Sequence, residues 1–196
     1  MVNSHHIGRM TLGLYNTYDP TRFSEAHRRV LSRLGPVATA FNCNICLFGF
    51  PLPDDIKTPG DLTAWLSGAT TIGEGGQYFI DLAEAGRVSI FPYPKKGFPP
   101  QLGRVFATTR KPDAKKDISP QETAGMLSKG CSILLLFGLG PQGLPESVRS
   151  MAEYHLDITS SGISMETCTA LAAVPAVLHS LSSPTFGISG HPSGNP

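Results

Sequence analysis

The run Ile133 to Phe137 constrains this chain more than any other segment. Five consecutive aliphatic or aromatic residues carry no polar side chain, and Gly138-Leu-Gly140 follows directly. A strand with no polar face is buried on both sides, as the central strands of parallel sheets are. At five residues it falls far short of the about 20 apolar residues that a membrane helix needs. Glycines at the carboxyl end of such a strand bare the backbone, where ligands of open α/β sheets bind.

The surrounding pattern fits that placement. Strands are expected at 11–15, 43–50, 88–93, 104–109, 131–137 and 155–159. Between them lie segments of helical period. In 23–41 the apolar residues Phe23, Ala26, Val30, Leu34, Val37 and Phe41 recur at steps of three and four, with Pro36 expected to kink or break the helix. Asp61 reads as the acidic cap of a short helix over 61–66. Gly73-Glu-Gly-Gly76 reads as a turn, and 77–85 as a helix closed by Gly86. Ser119, Pro120 and Glu122 have the order of a capping box with proline at the first helical position. Further helices are expected at 145–154 and 165–181. This alternation predicts one α/β domain over 1–181, a mostly parallel sheet with helices on both faces. Residues 182–196, rich in serine, glycine and proline, are expected to form a flexible tail, and the first ten an extension.

Composition narrows the function classes. Charged residues make up 16% of the 196, and the net charge is +1. Such a chain is neither a solvated disordered polymer nor a basic nucleic-acid arm. No apolar stretch opens the chain, so a signal peptide is not expected and the compartment is read as cytoplasmic, with no membrane association. Cys43 and Cys46 form a C-x-x-C without a second ligand pair, inside an apolar strand. They read as buried reduced thiols, not as a metal or redox site. The seven bases Lys95, Lys96, Arg104, Arg110, Lys111, Lys115 and Lys116 crowd into one segment opposed only by Asp113. They are a candidate patch for a polyanion, or a solvated loop.

The informative segment is Phe137-Gly-Leu-Gly-Pro-Gln-Gly-Leu-Pro145, then His155-Leu-Asp-Ile-Thr159, then Ser164-Met-Glu-Thr-Cys-Thr-Ala170. Two strand ends, each followed by small residues, make one cleft. This trio resembles the SPOUT, or α/β-knot, methyltransferases. Phe137-Gly138 with Gly143-Leu144 keeps one block of the superfamily, Ser164-Met165 with Ala170 keeps the other, and the spacing agrees. The chain looks most like an archaeal branch. The resemblance implies a C-terminal trefoil knot, a homodimer, S-adenosylmethionine as cofactor and RNA as substrate. Carried over by position, it assigns cofactor contacts to Thr108, Thr109, Phe137, Gly138, Leu139, Gly140, Ile158, Ile163, Ser164 and Met165. Of these, Leu139, Ile158, Ile163 and Met165 would line an apolar adenine slot.

The match departs at the chemistry. Gly140 stands where many RNA-methylating members have Glu, and Glu166 where they have Asn. The early N-x-G-x-x-x-R pattern is not found near the first helix, and Arg22, Arg28, Arg29 and Arg33 do not align with it. Arg110, directly after Thr109, is a candidate for a phosphate or carboxylate. Glu166 is a candidate general base, a partner for the sulfonium, or an acid in a helical first turn. His155 is read as a structural hydrogen-bonder. One alternative is a non-catalytic knot protein that binds cofactor or RNA. Another is a nucleotide module using Gly73-Glu-Gly-Gly76, which lacks the lysine of a phosphate-binding loop.

Overall fold

A computed structural model of the chain describes residues 7–67 and 73–183. Six parallel strands form one sheet: β1 Met10–Tyr15, β2 Asn44–Phe48, β3 Val88–Phe91, β4 Arg104–Thr108, β5 Ile133–Gly138 and β6 Tyr154–Leu156. Their spatial order is β3-β2-β1-β5-β4-β6. The polar-free strand is therefore central, with β1 on one side in register Leu12 to Leu135 and β4 on the other in register Phe106 to Leu135. The order starts at β1, runs outward to β3, then returns to the far half. Crossovers leave the strands' carboxyl ends on a common edge.

Among the described residues five α-helices lie between strands, α1 Glu25–Ala40, α2 Pro59–Ser67, α3 Gly73–Glu84, α4 Pro120–Ser128 and α5 Glu146–Met151, and a sixth, α6 Thr167–Ser182, follows β6. The two faces of the sheet are covered unequally. Leu12, Leu14, Ile45, Leu47, Phe106, Ile133, Leu135 and Phe137 point into the larger core, beneath Leu31 and Leu34 of α1 and Leu171 and Leu178 of α6. On the other face, Phe48, Ala107, Leu134 and Leu136 pack under α5 (Val148, Ala152) and the chain before β4 (Phe98, Leu102). Gly13 lies on that thinner side, where a methyl group would stand 2.9 Å from the Leu134 side chain and 3.2 Å from the Phe48 ring.

Several local expectations change. Pro36 sits inside α1 and does not end it. Asp61 is not the cap of α2. It lies one turn inside and accepts from the backbone N–H of Thr58 at 2.8 Å, while the Thr58 hydroxyl accepts from Asp61 N–H at 3.1 Å. Gly73 begins α3 rather than a turn. The capping box at Ser119 is present: its hydroxyl accepts from Glu122 N–H, and the Glu122 carboxylate accepts from Ser119 N–H at 3.0 Å. Pro145 caps α5 from outside its first turn. Cys43 joins the larger core and Cys46 the smaller; burial pushes both thiols up to about 12, so they are inert at neutral pH. The tail expected at 182–196 falls outside the described residues from 184 onward. No described helix is long and apolar enough to cross a membrane.

Candidate functional site

Beyond the carboxyl ends of β5, β4 and β6 the chain encloses a cavity of about 590 Å³. All ten residues assigned above as cofactor contacts line it, and so do Arg110 and Glu166. Three strand ends supply them because the sheet places β5 between β1 and β4, and β4 beside β6.

Each loop is shaped by its own hydrogen bonds. Thr108 closes the β4 end, its hydroxyl donating to the Leu136 carbonyl at 2.6 Å. Thr109 N–H donates to Leu156 O at 3.0 Å and ties β4 to β6. After β5 the backbone folds back so tightly that a methyl group on Gly138 would overlap the Gly143 carbonyl and stand 2.6 Å from the Leu144 nitrogen. Gly143 turns at φ +66, a conformation that favours glycine. Leu139 N–H donates to Tyr15 O at 3.0 Å, and Gly140 N–H to the Thr17 hydroxyl at 2.7 Å, so the loop is anchored on the end of β1. The Thr167 hydroxyl, in the first turn of α6, donates to Gly138 O at 3.1 Å.

The loop after β6 is organised by Asp157. One carboxylate oxygen accepts from Thr159 N–H at 2.9 Å and the Thr159 hydroxyl at 2.7 Å; the other accepts from Gly162 N–H at 2.8 Å. Burial raises the pKa of Asp157, but these bonds outweigh it and hold the carboxyl below its ordinary value. Beyond that anchor, the backbone amides of Ile163, Ser164 and Met165 donate to no atom among the described residues. Glu166 caps α6. Its Oε2 accepts from Cys168 N–H at 2.9 Å and Thr169 N–H at 3.2 Å. His155 is held between backbone groups, Nδ1 accepting from Asp113 N–H at 3.0 Å and Nε2 donating to Arg149 O at 2.9 Å.

The seven bases do not form one patch. Arg104 stands at the opposite end of β4 from the cavity, paired with Glu153 at 2.6 Å and stacked over Tyr154. Lys116 donates to the Ser150 and Ala152 carbonyls at the end of α5. Lys95 and Lys96 are exposed in the connection between β3 and β4 and do not line the cavity. Arg110 and Lys111 line the cavity, and Lys115 is exposed further along the same loop.

Two features escaped the sequence reading. Tyr18 and Arg149 line the cavity. Asn16 and Arg22 do stand at the separation of the N-x-G-x-x-x-R pattern, with Tyr18 where its glycine would be. The broken glycine hid it. The Asn16 amide is spent within the fold, and Arg22 is exposed away from the cavity wall.

The family model described as "Protein of unknown function (DUF531)" matches residues 10–179. The chain belongs to this family. A relative in Methanocaldococcus jannaschii, "Uncharacterized protein MJ0224", is 42% identical over 172 residues, spanning 87% of this chain and 94% of the relative. A "Probable Methyltransferase" from Bordetella pertussis Tohama I matches the structure at TM-score 0.61 and 13% identity, over 90% of this chain and 97% of that one. A structure described as "Structural insights into the 2-OH methylation of C/U34 on tRNA" matches at TM-score 0.53 and 17% identity, over 89% and 91%. This DUF531 chain therefore has the fold of the SPOUT methyltransferases.

Proposed function

We propose that this chain is an S-adenosylmethionine-dependent RNA methyltransferase of the SPOUT type, using the cavity beyond β5, β4 and β6. One observation carries the reading. Residues assigned from three separate sequence blocks line a single cavity, and three of its backbone amides have no partner among the described residues. Phe137, Leu139 and Leu156 are buried in its floor. An apolar floor beside free amides suits an adenine ring and its polar edge. The likeness to a structure concerned with tRNA methylation supports RNA as the acceptor.

When bound, the cofactor would supply an electrophilic methyl group on a cationic sulfur, for an acceptor atom that gives up a proton in exchange. The chain's own part is alignment. Gly138 and Gly143 hold the first loop in its fold-back, Asp157 shapes the last, and Arg110 meets substrate phosphate. Glu166, whose Oε1 takes neither cap bond, receives the proton. The return of the chain from β6 to α6, which packs on α4, α1 and β5, is read as the knot. Val177 and Leu181, exposed on α6, offer apolar surface to a second copy in a homodimer. The compartment is the cytoplasm.

A second reading, cofactor or RNA binding without catalysis, is favoured by Gly140 in the place of a Glu and by the capping bonds of Glu166. Calorimetry with S-adenosylmethionine tests the cavity, with Ser164→Trp to fill it from an exposed position. Wild type binds and the variant does not. Tritiated methyl transfer into total archaeal RNA then separates the two readings, because binding without incorporation favours the second. Absence of cofactor binding to the wild type removes the cofactor site from both.

A further inference from the structure

We infer that Tyr18 is the stacking platform for a base extruded from single-stranded RNA, with Arg110 and Lys111 holding the phosphate of that nucleotide. This deepens the proposed function and rests on it for the identity of the cavity.

Tyr18 is 37% exposed although it lines the cavity. The nearby aromatic rings of Phe23, Phe50 and Trp65 are buried or half-buried. An aromatic ring that is partly exposed on a cavity wall offers a face on which a base can stack. Tyr18 is also held in place. Its backbone N–H donates to Asn16 Oδ1 at 3.0 Å, and its ring stands nearly perpendicular to the buried His27 ring, centroids 5.7 Å apart. Asn16 is itself clamped, its amide donating to Gly49 O at 3.0 Å and accepting from His27 Nε2 at 3.1 Å. A platform fixed before binding loses little conformational freedom when a base arrives.

The ring is aimed at the first cofactor loop. A methyl group on Gly140 would stand 3.5 Å from Tyr18 Cε1 and 2.8 Å from the Thr17 hydroxyl. Thr17 and Tyr18 thus fill the space that the superfamily's Glu would need at position 140. The adenine slot proposed above lies between other residues, Leu139, Ile158, Ile163 and Met165, which leaves Tyr18 for the second substrate.

Charge selects the class of that substrate. Five charged residues line the cavity. Asp157 and Glu166 are tied to backbone N–H groups, and Arg149 pairs with Glu146. Arg110 and Lys111 form no ion pair among the described residues. An aromatic face with two unspent cations suits one nucleotide, its base on the ring and its phosphate on the cations. Bases within a duplex are already stacked and cannot reach a ring set at a cavity mouth.

Fluorescence anisotropy with labelled oligouridylate, labelled oligoadenylate and the duplex they form tests the assignment. Wild type binds the single strands more tightly than the duplex. Tyr18→Ala weakens single-strand binding by about tenfold, as loss of one base–aromatic stack does, and Tyr18→Phe restores it. Arg110→Ala with Lys111→Ala flattens the salt dependence of binding. Circular dichroism and a cooperative urea transition show that Tyr18→Ala folds, and calorimetry with S-adenosylhomocysteine on the wild type reads the cofactor site. Single-strand binding equal to wild type in Tyr18→Ala, or preference for the duplex, overturns the proposal. Failure of S-adenosylhomocysteine to bind wild type overturns the cofactor reading by a separate measurement and leaves the strand-binding result to judge Tyr18.

Discussion

The two halves of one sheet edge have opposite characters. At the carboxyl ends of β1 and β2 the polar groups are paired with one another. Asn16, 1% exposed, donates to Gly49 O and to the Tyr93 hydroxyl, accepts from Tyr18 N–H and His27, and through its backbone bonds to Phe48 O. At the ends of β5, β4 and β6 the loops enclose a cavity and leave amides without partners. The difference lies in the side chains: one half spends its polar groups on one another, and the other keeps them around an open space. The closed half has a task of its own: it anchors Tyr18 at the border.

The largest expected effects come from one glycine in each half. Gly138→Ala forces a methyl group into the Gly143 backbone. We expect a loss of about 3 kcal/mol in denaturant unfolding and loss of cofactor binding in calorimetry. Gly49→Ala meets the Tyr93 ring from a φ of +65 and destabilises comparably, but spares cofactor binding, because neither Gly49 nor Tyr93 lines the cavity. If both substitutions abolish cofactor binding in protein that remains folded, the division between the halves is wrong.

Asn16→Ala comes next. It strips partners from His27, Tyr18 N–H, Tyr93 and Gly49 O together, and a loss of about 2 kcal/mol in unfolding free energy is expected. Urea titration measures it. Single-strand RNA binding should fall along with stability while cofactor binding holds; an unchanged unfolding midpoint would remove the network from the account.

The closed half was the less legible of the two. Asn16 lies 11 residues from His27 and 77 from Tyr93, and lone polar residues so far apart carry no pattern. The cavity was legible because strand ends, glycines and two motif blocks coincide near Gly138 and Ser164. The parallel sheet was legible from the alternation of strands and helices, and the central place of β5 from its run without polar side chains. The basic segment misled for a geometric reason. Arg104 and Arg110 bracket β4, and a strand of that length separates its ends by about 15–20 Å. The start of α3 at Gly73 was hidden because glycine is a poor helix former.

Glu166 sharpens the open half. Glu166→Gln weakens the cap of α6 and should lower stability by about 1 kcal/mol or less. If the carboxylate receives a proton during transfer, the methylation rate falls at least about a hundredfold, with cofactor affinity unchanged. A rate equal to wild type assigns Glu166 to the cap alone and favours the non-catalytic reading of its oxygen.

The smallest effect is a pH dependence confined to the closed half. Burial holds the pKa of His27 below its ordinary value of about 6.5, with Ser24 N–H donating to Nδ1 and Nε2–H directed at Asn16. The folded protein therefore keeps the ring neutral while the unfolded chain protonates it. Below about pH 6.5 the unfolded state binds the extra proton, and stability falls with pH until the folded ring titrates as well. Above that value the contribution is fully present. His27→Phe removes the titration at the price of the hydrogen bonds, so the variant is less stable than wild type at neutral pH. The gap between the two, measured by urea unfolding, should narrow as the pH falls from 7 to 5. The open half contains no histidine on the cavity wall, so cofactor affinity should stay flat across the same range. A gap that is constant with pH would mean that His27 is as readily protonated in the fold as out of it, and that the closed half is wetter than its packing indicates.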